Sequence, residues 1–172
     1  MNVSKAESPS ERSDATIPWE YVEAYTFRAA DLFRAGDAKG ALVALERVLS
    51  MDPGNEAALL MRGVWWFRQG RPGKAIRDLS KALVRNCRNT AAYYKRGELH
   101  QLRGHFHAAI ADYSRVLMLE PDHREALVNR AVLCLSLKQV DRALVDFDRL
   151  MAGDSRVARA LAHWGVKRSL QG

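Results

Sequence analysis

Among its 172 residues the chain has two cysteines, five prolines and no apolar run of the roughly 18 residues that a membrane-spanning helix requires. Nothing in it therefore reads as a span. The two cysteines, Cys87 and Cys134, stand at unrelated places and read as free thiols of a reducing compartment, so a disulfide framework is not expected. The first residues, MNVSKAESPSERSDATIP, lack both an apolar core and a cleavage site, which argues against a secretory signal and for a cytoplasmic, intracellular location. A glycine-rich phosphate loop is missing as well, and neither cysteine has a histidine or an acid at a recognisable catalytic spacing. His100, His105 and His107 lie close in sequence, but the last two are placed in a turn after Gly104 and the first at a packing position. No enzyme, no metal site and no cofactor is expected.

What the chain does have is a period. Ala41, Ala75, Ala109 and Ala143 each follow the last by 34 residues. Small residues recur twelve before each alanine (Ala29, Gly63, Gly97, Ala131), and large ones four before those (Tyr25, Leu59, Tyr93, Leu127). Four and seven after each alanine come Leu45 and Val48, Leu79 and Ala82, Tyr113 and Val116, Phe147 and Leu150. Gly36, Gly70 and Gly104 mark a turn inside each unit, where Lys138 breaks the pattern. In each half-unit the marked residues fall at i, i+4 and i+7, one stripe of a helix. Two such helices cannot bury both stripes alone. Stacked units can, with the small residues allowing close approach.

This pattern resembles the tetratricopeptide repeat family, whose repeat runs W-x2-L-G-x2-Y, A-x3-F, A and P. The units are predicted at 22–55, 56–89, 90–123 and 124–157, with a looser joint expected at Cys87 and at Ser155, where the closing proline is replaced. Residues 1–16, poor in apolar side chains, are expected to be a disordered tail, either plainly solvated or regulatory, with a helix starting near Thr16 and Pro18. Residues 158–172 repeat the first-helix register at Leu161 and Gly165 and are expected to form a capping helix and tail. The fold class is all-α: an α-solenoid of four helix-turn-helix repeats, which the resemblance implies is a right-handed superhelix.

Arg28, Arg62, Arg96 and Arg130 share one repeat position, and in the last three units Asp78, Asp112 and Asp146 follow sixteen residues later, where the first has Ala44. That register predicts ion pairs that fix how two helices align.

The resemblance further implies that the first helices of successive units line a concave groove. Counting 100° per residue, the groove-facing residues include Phe27, Leu60, Met61, Val64, Phe67, Tyr94, Lys95, Val128 and Asn129, while Trp65 and Trp66 fall toward the core. An apolar patch on such a surface predicts an adaptor or scaffold that binds a partner peptide or amphipathic helix. A self-covered groove is the alternative. A family subset clamps chaperone C-terminal carboxylates with Lys, Asn and Arg side chains; here Thr26, Ala30, Met61, Ala91 and Lys95 stand at those positions, so chaperone-tail clamping is not expected.

Charge supplies the other reading. The net charge is +7, and eleven of the 27 Lys and Arg lie between residues 57 and 111. Lys74, Arg77, Lys81, Arg85 and Arg88, at steps of three and four, are placed on one convex stripe of the second helix of the second unit. This is either a solvated face or a docking surface for an acidic protein, an RNA backbone or an anionic lipid surface. No aromatics interleave it, which weakens base stacking.

Overall fold

The computed structural model describes residues 19–152, and these contain eight helices and no strand. The predicted tail, the helix start at Thr16 and Pro18, the capping helix and the Ser155 joint lie outside the described residues. The chain divides into two compact units, Met1–Pro53 and Gly54–Gly172.

The first unit contains α1 (Trp19–Arg34) and α2 (Ala38–Met51). Helix α1 begins three residues before the predicted Val22. Gly36 turns the chain at φ 83°, a conformation natural to glycine. Asp37 then caps α2 by accepting the Gly40 amide at 2.9 Å. Of the residues marked by the period, Ala29, Ala41, Leu45 and Val48 are buried and Tyr25 is half-buried.

The second unit stacks α3 (Glu56–Arg68), α4 (Pro72–Arg85), α5 (Thr90–Leu102), α6 (Phe106–Leu119), α7 (Arg124–Ser136) and α8 (Val140–Ala152). Helices α3, α5 and α7 start at the predicted residues. Each start is capped: the Ala58, Ala92 and Ala126 amides donate to the side chains of Asn55, Asn89 and His123. Pro72 opens α4, where its missing N–H costs no helical hydrogen bond.

Packing follows the period. Ala75, Ala109 and Ala143 are fully buried, as are Leu79, Tyr113 and Val116. Each second helix pairs with its own first helix, and α4 and α6 pair also with the first helix that follows, α5 and α7. A large cluster around Tyr113, Leu117, Leu127 and Cys134 joins α6, α7 and α8, and a smaller one around Leu79, Leu83 and Leu99 joins α4 and α5.

Several expectations change in three dimensions. Lys138, which interrupts the glycine pattern, still adopts the same left-handed conformation as the glycines, at φ 60°. His107 lies within α6, because that helix starts at Phe106 immediately after the His105 cap. Trp66 does pack on the core cluster of α4 and α5, but it and Trp65 are only half-buried, edge to face at 4.5 Å, with Lys74 Nζ 4.2 Å above the Trp66 ring. The joint at Cys87 is fastened despite the lost proline: Asn86 and Asn89 both donate to the Glu56 carboxylate at the head of α3. Both cysteines are free, Cys134 buried and Cys87 exposed.

Candidate functional site

The register of the second unit is locked by three forked ion pairs. Arg62 meets Asp78 at 2.7 and 2.9 Å, Arg96 meets Asp112 at 2.8 and 2.7 Å, and Arg130 meets Asp146 through the same two nitrogens. Their aspartates are almost completely buried. The hydrogen bonds they donate to Asp112 and Asp146 push the Arg96 and Arg130 guanidiniums above their ordinary pKa, so both remain charged. Arg96 and Arg130 also donate to Ser80 and Ser114 on the preceding second helix, so one side chain ties three helices together. In the first unit, Arg28 is exposed, and Ala44 leaves it no aspartate.

The face presented by α3, α5 and α7 holds most of the predicted groove residues. Because the repeats are in register, Leu60, Tyr94 and Val128 form one row across the three helices, and Met61, Lys95 and Asn129 the next. Contact between α3 and α5 and a hydrogen bond from Asn129 to the Tyr94 hydroxyl at 3.2 Å bring these rows side by side. Asn129 also approaches the Tyr113 hydroxyl at 3.4 Å, and that hydroxyl donates to Gln101 at 2.9 Å. Tyr94 stacks on His123 with ring centres 5.0 Å apart. Lys95 bonds Glu98 at 2.9 Å. Burial, followed by the negative charge of Glu98, raises the pKa of both tyrosines, so these hydroxyls stay protonated donors.

The apolar residues divide into two sets. Leu60 and Phe67 lean against the α4–α5 cluster. Met61 and Val64 are half-buried on α3, and α7 exposes an i, i+4, i+7 stripe of Val128, Val132 and Leu135 at 43–46%. Phe27 belongs to the first unit, where it is 63% exposed on α1.

On α4, Lys74, Arg77, Lys81 and Arg85 are all exposed. Arg88 is exposed too, but it lies beyond the end of α4 at Arg85, so the stripe is four residues long on the helix. Lys74 lies over the Trp66 ring, and the Arg85 side chain lies against Gly54.

Among the described residues no group of three His, Cys, Asp or Glu side chains is arranged to hold a metal, and no helix is long and apolar enough to cross a membrane.

Two stretches, residues 28–91 and 94–158, match the tetratricopeptide repeat family model. The chain belongs to that family. No curated protein matches it. Among solved structures it resembles a tetratricopeptide repeat protein from Parabacteroides merdae, with 26% identity and a TM-score of 0.72 over 80% of this chain and 56% of that one. It therefore spans little more than half of that protein. It is similar to MamA, with 27% identity and a TM-score of 0.67 over 72% of each chain. It also resembles the first TPR of Spaghetti (RPAP3), solved bound to an HSP90 peptide, with 25% identity and a TM-score of 0.65 over 69% of this chain and 94% of that one.

Proposed function

We propose that the protein is an adaptor whose face on α3, α5 and α7 holds an amphipathic helix or extended peptide of a partner protein. The observation that carries this is the exposed stripe Val128, Val132 and Leu135 beside the Asn129–Tyr94 hydrogen bond, which sets apolar surface next to fixed polar groups. Apolar anchors of the ligand would cover Met61, Val64, Val128 and Val132. Tyr94, Lys95 and Asn129 would orient its backbone or polar side chains, the division of labour common to peptide grooves. The peptide-bound Spaghetti structure supports the use of such a face for a peptide. The set of Thr26, Ala30, Met61, Ala91 and Lys95 supplies one cation in place of a clamp, so the ligand we expect is apolar rather than a terminal carboxylate.

The test is capture of partners with wild type and with Met61→Glu combined with Val64→Lys. The proposal requires that one set of partners disappears while helicity is unchanged. Unchanged capture would move the site off this face.

A second reading rests on the exposed Lys74, Arg77, Lys81 and Arg85, four cations along one helix. They would dock an acidic protein or an RNA backbone. Changing all four to Gln would then lower both affinity and its salt dependence by close to one unit of slope per lost phosphate contact. Apolar docking on α3, α5 and α7 would be insensitive to moderate salt.

A further inference from the structure

We propose that copies of this chain associate head to tail, with α8 of one copy docking on α1 of the next through an Arg28–Asp148 ion pair. Each side of this joint has an unmet requirement that the other supplies.

The α8 side carries a face built to be covered. In α6, Ile110 and Leu117 are 5% exposed because α7 packs over them. The same register positions in α8 hold Leu144 and Met151, and Leu144 is 53% exposed. Apolar side chains have been kept there with no described element upon them. At the position of Ser80 and Ser114, which accept from Arg96 and Arg130 of the incoming first helix, α8 presents an exposed aspartate, Asp148.

The α1 side lacks both of the partners that its arginine has elsewhere. Arg28 stands at the position of Arg96 and Arg130, but Ala44 replaces the aspartate on its own second helix. A cleft of about 590 Å³ opens beside it, lined by Tyr25, Leu32, Val43, Ala44 and Arg47 and, from α2 and its cap, by the acids Glu46 and Asp37. If α8 of a second copy takes the place that α4 takes on α5 and α6 on α7, Asp148 arrives where Ser80 and Ser114 sit and supplies the carboxylate that Ala44 omits. In the first-helix register of residues 158–170, the repeat position of Arg28, Arg96 and Arg130 holds Trp164 rather than an arginine. This mismatch is why a second copy is the favoured occupant. Because the two surfaces differ, the contact is heterologous and propagates into a ring or filament.

The experiment is sedimentation velocity on the full chain over a range of concentrations. Wild type should sediment as a growing series of oligomers. Arg28→Asp or Asp148→Arg should each weaken association about tenfold or more, because like charges then meet at the joint. Both are exposed positions, and unchanged circular dichroism confirms folding. Mixing the two single variants should restore association, since the arginine introduced into one then meets the aspartate introduced into the other, and the double variant should self-associate. A wild type that is monomeric at every concentration overturns the proposal; amide protection of residues 158–168 in that monomer would assign the cover of α8 to the chain's own tail. Association that is indifferent to both reversals overturns it equally.

Discussion

Gly97 on α5 lies so close to Tyr113 on α6 that a Cβ at Gly97 would stand 2.8 Å from the ring carbon Cε1. The ring cannot retreat freely, because its hydroxyl is held by Gln101 and Asn129. At Gly63 the corresponding Cβ would meet Leu79 at 3.1 Å, a flexible aliphatic tip. Alanine gains roughly 1 kcal/mol of helix propensity over glycine, while overpacking costs roughly 1 to 3 kcal/mol. Gly97→Ala should therefore destabilise, and Gly63→Ala should be near neutral. Urea midpoints measure the order; equal midpoints would mean that the Tyr113 ring moves without cost.

Asp146 is fully buried against Arg130. Asp146→Ala should lower stability by about 3 to 5 kcal/mol, since it leaves a charge without its partner. Arg130→Met combined with Asp146→Leu should recover most of that loss, and chemical denaturation of both variants tests it. Failure of the double variant to recover would show that the pair also supplies packing that aliphatic side chains cannot.

Lys138 holds a left-handed turn at φ 60° where three other repeats use glycine. Lys138→Gly should raise stability by about 1 kcal/mol, relieving a strain of that order for a non-glycine residue. A lower thermal midpoint would mean that the Lys138 side chain contributes contacts worth more than the strain.

His100 titrates below its ordinary value of 6.5, chiefly because it is partly buried; Asp112 opposes this, and Arg96, His105 and Arg103 reinforce it. Its ring nitrogen Nδ1 is buried without a hydrogen-bond partner. A depressed histidine pKa means that the unfolded chain binds the proton first. Its contribution to stability is therefore complete above about pH 6.5 and is lost as the pH falls toward the folded value. The wild-type urea midpoint should drop between pH 7 and pH 5 more than that of His100→Gln. Parallel profiles would remove His100 from the acid response.

The 34-residue period made α3, α5 and α7 legible to the residue, because a buried helical stripe and its cap are local in sequence. The Arg–Asp register was readable for the same reason: sixteen residues span one turn between two helices. The ends of helices were less so. Arg88 falls past α4 and His107 inside α6, since a stop or a start depends on which cap the backbone finds.

The binding face was only half readable. Helical angles place Leu60 and Met61 equally on one side, yet Leu60 packs on the α4–α5 cluster while Val128, Val132 and Leu135 on α7 stay open. The tyrosine–asparagine network of Tyr94, Tyr113 and Asn129 left no signal, because its members come from three helices up to 35 residues apart.

By itself, then, the sequence determined which side of each helix is buried, where the glycine turns fall and which arginine meets which aspartate, all consequences of helix geometry acting within one repeat. Tertiary structure alone decided which apolar residues remain exposed and which hydroxyls and amides meet, because exposure depends on the neighbouring helix in space, and a repeat pattern places every copy of a residue alike.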